Sequence, residues 1–279
     1  MSWPEKSSVV NATDWSYFQQ INQHTPPRII PIESFCAANP TLEVFILRAC
    51  WPSGLPDPLY PLYYDALTAA GKKVAAYLWP NVTKKIGVTE ENWKAALGDR
   101  VPKLLMLDFE EPRYGATKDQ LTDNADDSLE ALAALYPGRH VIGYCRANWW
   151  EAFINRKIEA HWKWILAQYP LPFPDGEGGF RQYRTHAELA KHLPIGNSFT
   201  PYMGKTGRFT HANVIGWQFS EYGYLPGWTR RLDLDSLKRD FVLQVFGEVA
   251  PTPPVPPFPP TLEQRVDDHE KRIAALEAE

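Results

Sequence analysis

From residue 44 onward, short apolar runs alternate with stretches in which apolar residues recur every three or four positions. The runs predict buried strands and the recurrences predict helices. Val44–Cys50 reads as a strand, Asp57–Ala70 as a helix closed by Gly71, and Lys73–Trp79 as the next strand. Glu90–Leu97 reads as a short helix ended by Gly98, and 103–110 as a strand that turns acidic at its end. Leu121, Ala125, Leu129, Leu132 and Tyr136 predict a long helix over about 118–136, with Gly138 behind it. His140–Cys145, Trp162–Gln168 and Val214–Phe219 read as strands, Asn148–Asn155 as a helix, and Ser236–Phe246 as a final amphipathic helix. Repeated β-α units of this size predict an α/β fold, an irregular (β/α) barrel of the TIM-like kind.

Two regions break the rhythm. Residues 16–43 lack clear periodicity, although Arg28–Ile32 is a candidate extra strand. Residues 171–213 are rich in Gly, Pro and polar residues, with one helix expected near His186–His192. A stretch of this length is either a lid or a surface insertion.

The C-terminus is different material. Pro251–Pro260 carries seven prolines in ten residues and predicts an extended, semi-rigid spacer. Beyond it, Leu262, Val266, His269, Ile273 and Leu276 follow a 4-3-4-3 spacing with charged flanks, an a/d seam. So short a seam is either a lone helix or a short coiled coil that joins copies as a dimer or trimer, or docks the chain into a larger assembly. The expected organisation is a barrel over 1–248, a Pro-rich linker over 249–260 and a coiled-coil tail over 261–279.

The chemistry concentrates in Leu104-Leu105-Met106-Leu107-Asp108-Phe109-Glu110. Strand alternation puts Leu104, Met106, Asp108 and Glu110 on one face. The Cβ atoms of Asp108 and Glu110 then stand about 6.5–7 Å apart, and side-chain reach brings the carboxyls into the roughly 5–10 Å range that glycosidases use. Two acids crowded on one face do not ionise independently, which favours one of them keeping its proton. The plain alternative is a strand that ends at the surface in solvated acids. In barrels of this class, reactive groups sit at the C-terminal strand ends, where this pair falls.

Composition narrows the function. A net charge of −4 with no Lys/Arg-rich run points away from a nucleic-acid partner. Cys36, Cys50 and Cys145 lack any Cys-x-x-Cys spacing, and the seven histidines form no ligand pattern; His161, for one, reads as structural. No metal or cofactor is expected. No run approaches the roughly 18 apolar residues of a membrane span. Met1-Ser2-Trp3-Pro4-Glu5-Lys6 lacks a basic segment followed by an apolar stretch, so no signal peptide is expected. The chain is expected to be made in a cytoplasm and released by other means. Many of its 11 Trp, 13 Tyr and 13 Phe must be core, and sugar clefts also use such rings against the apolar faces of pyranoses, so this composition is compatible with a carbohydrate ligand without establishing one.

Four segments resemble glycoside hydrolase family 25, the lysozymes (N-acetylmuramidases) of bacteria and bacteriophages. Val44–Ala49 with Asp57-Pro58-Leu59-Tyr60 resembles the family's second strand and the start of its helix; Ala69-Ala70-Gly71 through Ala76–Trp79 resembles the next helix-turn-strand. Leu107-Asp108-Phe109-Glu110 is similar to the family's Asp-x-Glu strand. Gly216–Ser220 and Leu232-Asp233-Leu234-Asp235 resemble its final barrel segment. The likeness covers roughly residues 8–246. It implies cleavage of the β-1,4 bond between N-acetylmuramic acid and N-acetylglucosamine in peptidoglycan. Glu110 would be the general acid, Asp108 would orient the substrate acetamido group or stabilise the charge on the ring, the acetamido oxygen would act as internal nucleophile in a retaining reaction, and Asp233 would line the cleft. Tyr77, Trp79, Tyr144 and Trp217 would stack on sugars.

One departure stands out. The family opens with a strand aspartate, and here Val9-Val10-Asn11-Ala12-Thr13-Asp14-Trp15 places Asn11 at that position as a substrate-binding residue without charge. Asp14, or Glu33 on the 28–34 segment, is an alternative source of the missing carboxylate. A chitinase-like barrel normally has another acid two residues before Asp-x-Glu, where this chain has Met106. The competing function is a bacteriophage virion component that binds wall glycan with weak or no catalysis; Asn11, the proline spacer and the tail favour it, and the Asp108/Glu110 pair favours the enzyme.

Overall fold

The computed structural model describes residues 3–15, 29–80, 89–110, 117–154, 162–169, 173–174, 180–193, 209–210, 212–228 and 232–247. The chain divides into a unit over 1–247 and a remainder, 248–279. The linker and tail expected over 249–279 lie outside the described residues, as does His161.

The strands are β1 (Val9–Asp14), β2 (Leu42–Cys50), β3 (Lys73–Leu78), β4 (Leu104–Asp108), β5 (His140–Arg146), β6 (Lys163–Ala167), β7 (Phe173–Pro174), β8 (Phe180–Arg181), β9 (Val214–Gly223) and β10 (Leu232–Lys238). Eight of them close into a barrel in the order β1-β10-β9-β6-β5-β4-β3-β2, while β7 and β8 form a separate antiparallel pair. Barrel neighbours run parallel except β10, which is antiparallel to both β1 and β9. The helices are α1 (Ile32–Ala38), α2 (Tyr60–Ala69), α3 (Glu90–Leu97), α4 (Lys118–Leu135), α5 (Ala147–Phe153), α6 (His186–Ala190) and α7 (Arg239–Phe246). Among the described residues, no helix is long and apolar enough to cross a membrane.

Two apolar layers follow from strand alternation. Leu105 and Leu107 on β4, and Phe109 just past it, face the helices, with Leu121, Leu129 and Leu132 of α4 in the same core. Leu104 and Met106 face the barrel interior with Val10, Ala12, Ile46, Ala75, Ile142 and Ile165. Helix α7 adds Phe241, Val242 and Val245 to this interior layer; the Phe241 ring meets His140 at the start of β5, and Lys103, just before β4, donates to the Phe246 carbonyl. These contacts plug the N-terminal end of the barrel. Each such side chain contributes about 1.5–3 kcal/mol by burial. The chemistry is left to the opposite end.

Local signals explain the boundaries. Thr117 and Gln120 form a reciprocal cap at the start of α4, with bonds of 2.9 and 3.2 Å. Gly71 takes φ +70° just past α2, a conformation that glycine adopts without a Cβ penalty. Helix α2 begins at Tyr60 rather than Asp57, because the Asp57 carboxylate accepts from the Leu59 amide ahead of the first turn.

Two expectations are corrected. Ile29 and Ile30 form no strand; Pro31, at φ −66°, caps α1 instead, and its carbonyl accepts from Phe35. Ser236–Lys238 belong to β10, so the last helix starts only at Arg239. Buried acids hid this strand. In Leu232-Asp233-Leu234-Asp235-Ser236-Leu237 the leucines at 232 and 234 face the helices, while Asp233 and Asp235 point inward, so the polar positions do not mark a solvent face.

Candidate active site

At the C-terminal end of the barrel the interior positions change from apolar to polar. Asp108 continues the Leu104–Met106 face and is 6% exposed, and Glu110, just past β4, has a side chain 29% exposed. The pair thus shares one face, one acid in the barrel floor and the other at the mouth. Phe109 between them is fully buried toward the helices, and its amide donates to the Tyr144 carbonyl, holding the segment beside β5.

Tyr144, on the interior face of β5, ties the centre together. Its hydroxyl donates to Gln218 Oε1 at 2.6 Å and lies 3.3 Å from Glu110 Oε1. The Tyr169 hydroxyl donates to the same Gln218 oxygen at 2.6 Å. Burial first, and then the charges of Glu110, Asp108 and Asp233, push the Tyr144 phenol well above its ordinary value. Those charges place Asp233 on the same centre as the Asp108/Glu110 pair. At the rim, Arg146 stands 4.0 Å from Glu110 and 3.9 Å from Glu221.

The β1/β10 side supplies three more acids. Asp14 pairs directly with Asp233, and Ala12 with Asp235, across the antiparallel ladder. Partners directly opposite share a face, and Val10, Ala12 and Leu237 define it as the interior one. Asp14 is therefore the β1 carboxylate at the mouth. Asp235 lies one layer deeper and is 1% exposed. Burial pushes its carboxyl well above the usual carboxylate range, the charges of Asp14 and Asp233 add to this, and a hydrogen bond from the Asp14 amide works the other way. From the helix side, His186 Nε2 lies 3.0 Å from the Ala12 carbonyl and 2.9 Å from the Asp235 carbonyl. Both partners only accept, so Nε2 carries the hydrogen. Burial lowers the His186 pKa to about 4. Among the described residues, no group of three or more His, Cys, Asp or Glu side chains is arranged to hold a metal ion.

Three expected site residues are not where the spacing put them. Asn11 alternates with Val10 and Ala12 and pairs with Ser236, so it faces away from the barrel interior; Asp14, not Asn11, reaches the mouth. Glu33 is an exposed residue of α1 and lies on no barrel strand. Trp217 is fully buried on the helix side, edge-on to Trp3 and Phe219, with its indole N–H donating to the Gln168 carbonyl. The cause is a bulge. Trp164 pairs with Val214 but Ile165 pairs with Gly216, so the extra residue Ile215 shifts the alternation and turns Gln218 inward. Tyr77 is on the interior face but buried at 1% exposure, so it offers no open ring; Trp79, next on that face, is partly exposed.

Gln218, Tyr169, Arg146 and Asp235 were not singled out from sequence. Two-residue steps from Tyr144 to Arg146 and from Asp233 to Asp235 carried that information. The bulge hid Gln218.

The family model for glycosyl hydrolases family 25 matches residues 39–228, more than half of the chain. Asp14, Asp233 and Asp235 lie outside that span. No curated protein matches the chain in sequence. Among solved structures, a lysozyme from Streptomyces coelicolor superposes with a TM-score of 0.58 at 16% identity, covering 86% of this chain and 98% of that one. The catalytic domain of endolysin ply40, from bacteriophage P40 of Listeria monocytogenes, gives 0.55 at 13% identity, covering 86% and 98%. The spore cortex lytic enzyme SleM of Clostridium perfringens gives 0.56 at 15% identity, covering 85% and 69%. At such identities the likeness speaks to the fold.

Proposed function

Given that the chain belongs to glycosyl hydrolases family 25, we propose that it is a peptidoglycan muramidase, cleaving the β-1,4 bond between N-acetylmuramic acid and N-acetylglucosamine. The observation that supports this reading is that Asp108 continues the interior face of β4 and Glu110, just past it at the mouth, lies 3.3 Å from the Tyr144 hydroxyl.

Glu110, the more exposed of the two, protonates the leaving glycosidic oxygen. A phenol has one proton and further acceptor capacity. The Tyr144 hydroxyl is directed at Gln218 Oε1, 2.6 Å away, and also reaches Glu110 Oε1 at 3.3 Å. This contact holds the Glu110 carboxyl at the mouth, where the leaving oxygen must receive its proton. Asp108, deeper and fixed in β4, orients the substrate acetamido group, whose oxygen attacks the anomeric carbon and later yields to water with net retention. No protein nucleophile is required, so carboxylate separation does not dictate the stereochemistry. Asp233 and Asp14 line the opposite wall, and Trp79 offers a partly exposed ring to a sugar face.

Product analysis tests this reading. Purified cell walls digested by the protein and then reduced with borohydride should yield reduced muramic acid at the new chain ends. Reduced glucosamine at those ends, or no new ends, overturns it.

The Pro-rich 249–260 and heptad-spaced 261–279 segments support a second reading, in which the chain works within a bacteriophage particle or as a self-associated dimer or trimer. Sedimentation of the full chain decides the self-association. A multiple of the 31.8 kDa chain mass is expected, and a monomer removes it.

A further inference from the structure

Arg146 is the last interior position of β5, one step above Tyr144 toward the mouth, and its side chain is 47% exposed. It shares a hydrogen bond with Tyr169, and its guanidinium carbon lies 5.2 Å from that ring. Glu110 and Glu221 flank it at 4.0 and 3.9 Å, beyond hydrogen-bond length. Arg48, the other arginine on an interior strand face among the described residues, is held differently. It bonds Asp57 at 2.9 and 2.8 Å and is buried. Arg146 is therefore fixed in place by a ring and by opposite charge, while no carboxylate among the described residues engages its fork in a bidentate pair.

The surroundings make this cation selective. Asp14, Asp108, Glu110, Asp233 and Glu221 would repel an anion, and Arg146 alone among the described groups of this centre would attract one. N-acetylmuramic acid differs from neutral N-acetylhexosamine by a lactyl ether that ends in a carboxyl group. Resting on the muramidase reading, we propose that Arg146 is the specificity residue of the cleft and receives the lactyl carboxylate of the substrate. A planar fork beside Glu110 suits a carboxylate one sugar substituent away from the bond being cut.

The preferred substrate then carries a free lactyl carboxylate. In a peptide-bearing wall this group is an uncharged amide. The reaction class that supplies the preferred strand is amide hydrolysis, in which water adds across the C–N bond to give a carboxylate and an amine.

The test uses the full chain and two glycan probes made from one preparation of peptide-free wall strands, one with free carboxylates and one with those groups methyl-esterified. Affinity and kcat/KM are measured for both. The wild type should favour the free-carboxylate strand about tenfold, the scale of one charge-assisted contact at a partly exposed site. Arg146→Gln should bring the ratio to about one, and Arg146→Lys should retain part of it, keeping the charge without the fork. A wild-type ratio of one, or an unchanged ratio in Arg146→Gln, overturns the assignment while leaving the muramidase reading intact. If the wild type neither binds nor cleaves either strand, the muramidase reading fails and this inference falls with it. The wild-type ratio stands as a test even if the glutamine variant does not fold.

Discussion

The Tyr144 hydroxyl and the Glu110 carboxyl face each other at 3.3 Å across the mouth of the barrel, although 34 residues separate them in the chain. Tyr144→Phe removes the oxygen that meets Glu110 and leaves Gln218 with Tyr169 as its phenol partner. The expected result is a fall in kcat of about tenfold or more, with KM changed less, because the contact supports the acid and not the sugar. Equal kcat in the two proteins would show that Glu110 works without this partner.

His186 sets a pH limit on stability. Its pKa is about 4 in the folded chain against an ordinary 6.5, so between those values the unfolded chain binds the extra proton. Stability from this group is complete above pH 6.5 and is lost as pH falls toward 4, on the order of 3 kcal/mol in all. His186→Gln keeps an N–H donor for the Ala12 and Asp235 carbonyls without the titration. Urea midpoints of the two proteins should agree near neutrality and separate as pH falls below 6.5, with the wild type the less stable. Parallel curves would remove His186 as the cause.

Asp235 works in the opposite sense. Its folded carboxyl keeps a proton that the unfolded chain gives up above about pH 3.8, so the wild type loses stability as pH rises through that window. Asp235→Asn retains an oxygen acceptor for the Asp14 amide and removes the titration. The variant should melt higher than wild type at pH 7, with the gap closing toward pH 4. A lower melting temperature at pH 7 would mean that the buried group is ionised and paired.

How far the sequence revealed this site depends on whether a strand kept its alternation. Asp108 and Glu110 were legible because β4 runs without a bulge from Leu104 and its neighbours are apolar. Trp217 was misplaced because the bulge at Ile215 reversed the faces of β9, and no local signal marks that extra residue. The β10 strand was hidden because Asp233 and Asp235 occupy interior positions that a hydrophobic pattern reserves for leucine or valine. Asn11 was favoured over Asp14 by motif order, and only the alternation of Val10 and Ala12 separates them. The exceptions cluster at the polar mouth, where chemistry and packing ask for different residues.

Gly216 gives a measure of how tightly the floor is packed. A Cβ there would stand 2.6 Å from both Ile165 Cγ1 and Leu237 Cδ2, on opposite strands. Gly216→Ala should cost about 1–3 kcal/mol of folding stability in chemical denaturation. No loss would mean that the interior has slack at this level, next to Gln218.

The most direct measurement is the release of reducing ends from purified bacterial walls by the wild type and by Glu110→Gln. The glutamine keeps the size of the side chain and cannot deliver the proton. Release by the wild type and a loss of about a hundredfold or more in the variant is the predicted result. Equal release by both proteins, or none from either on walls of several bacteria, contradicts the assignment of Glu110 as the acid of a muramidase.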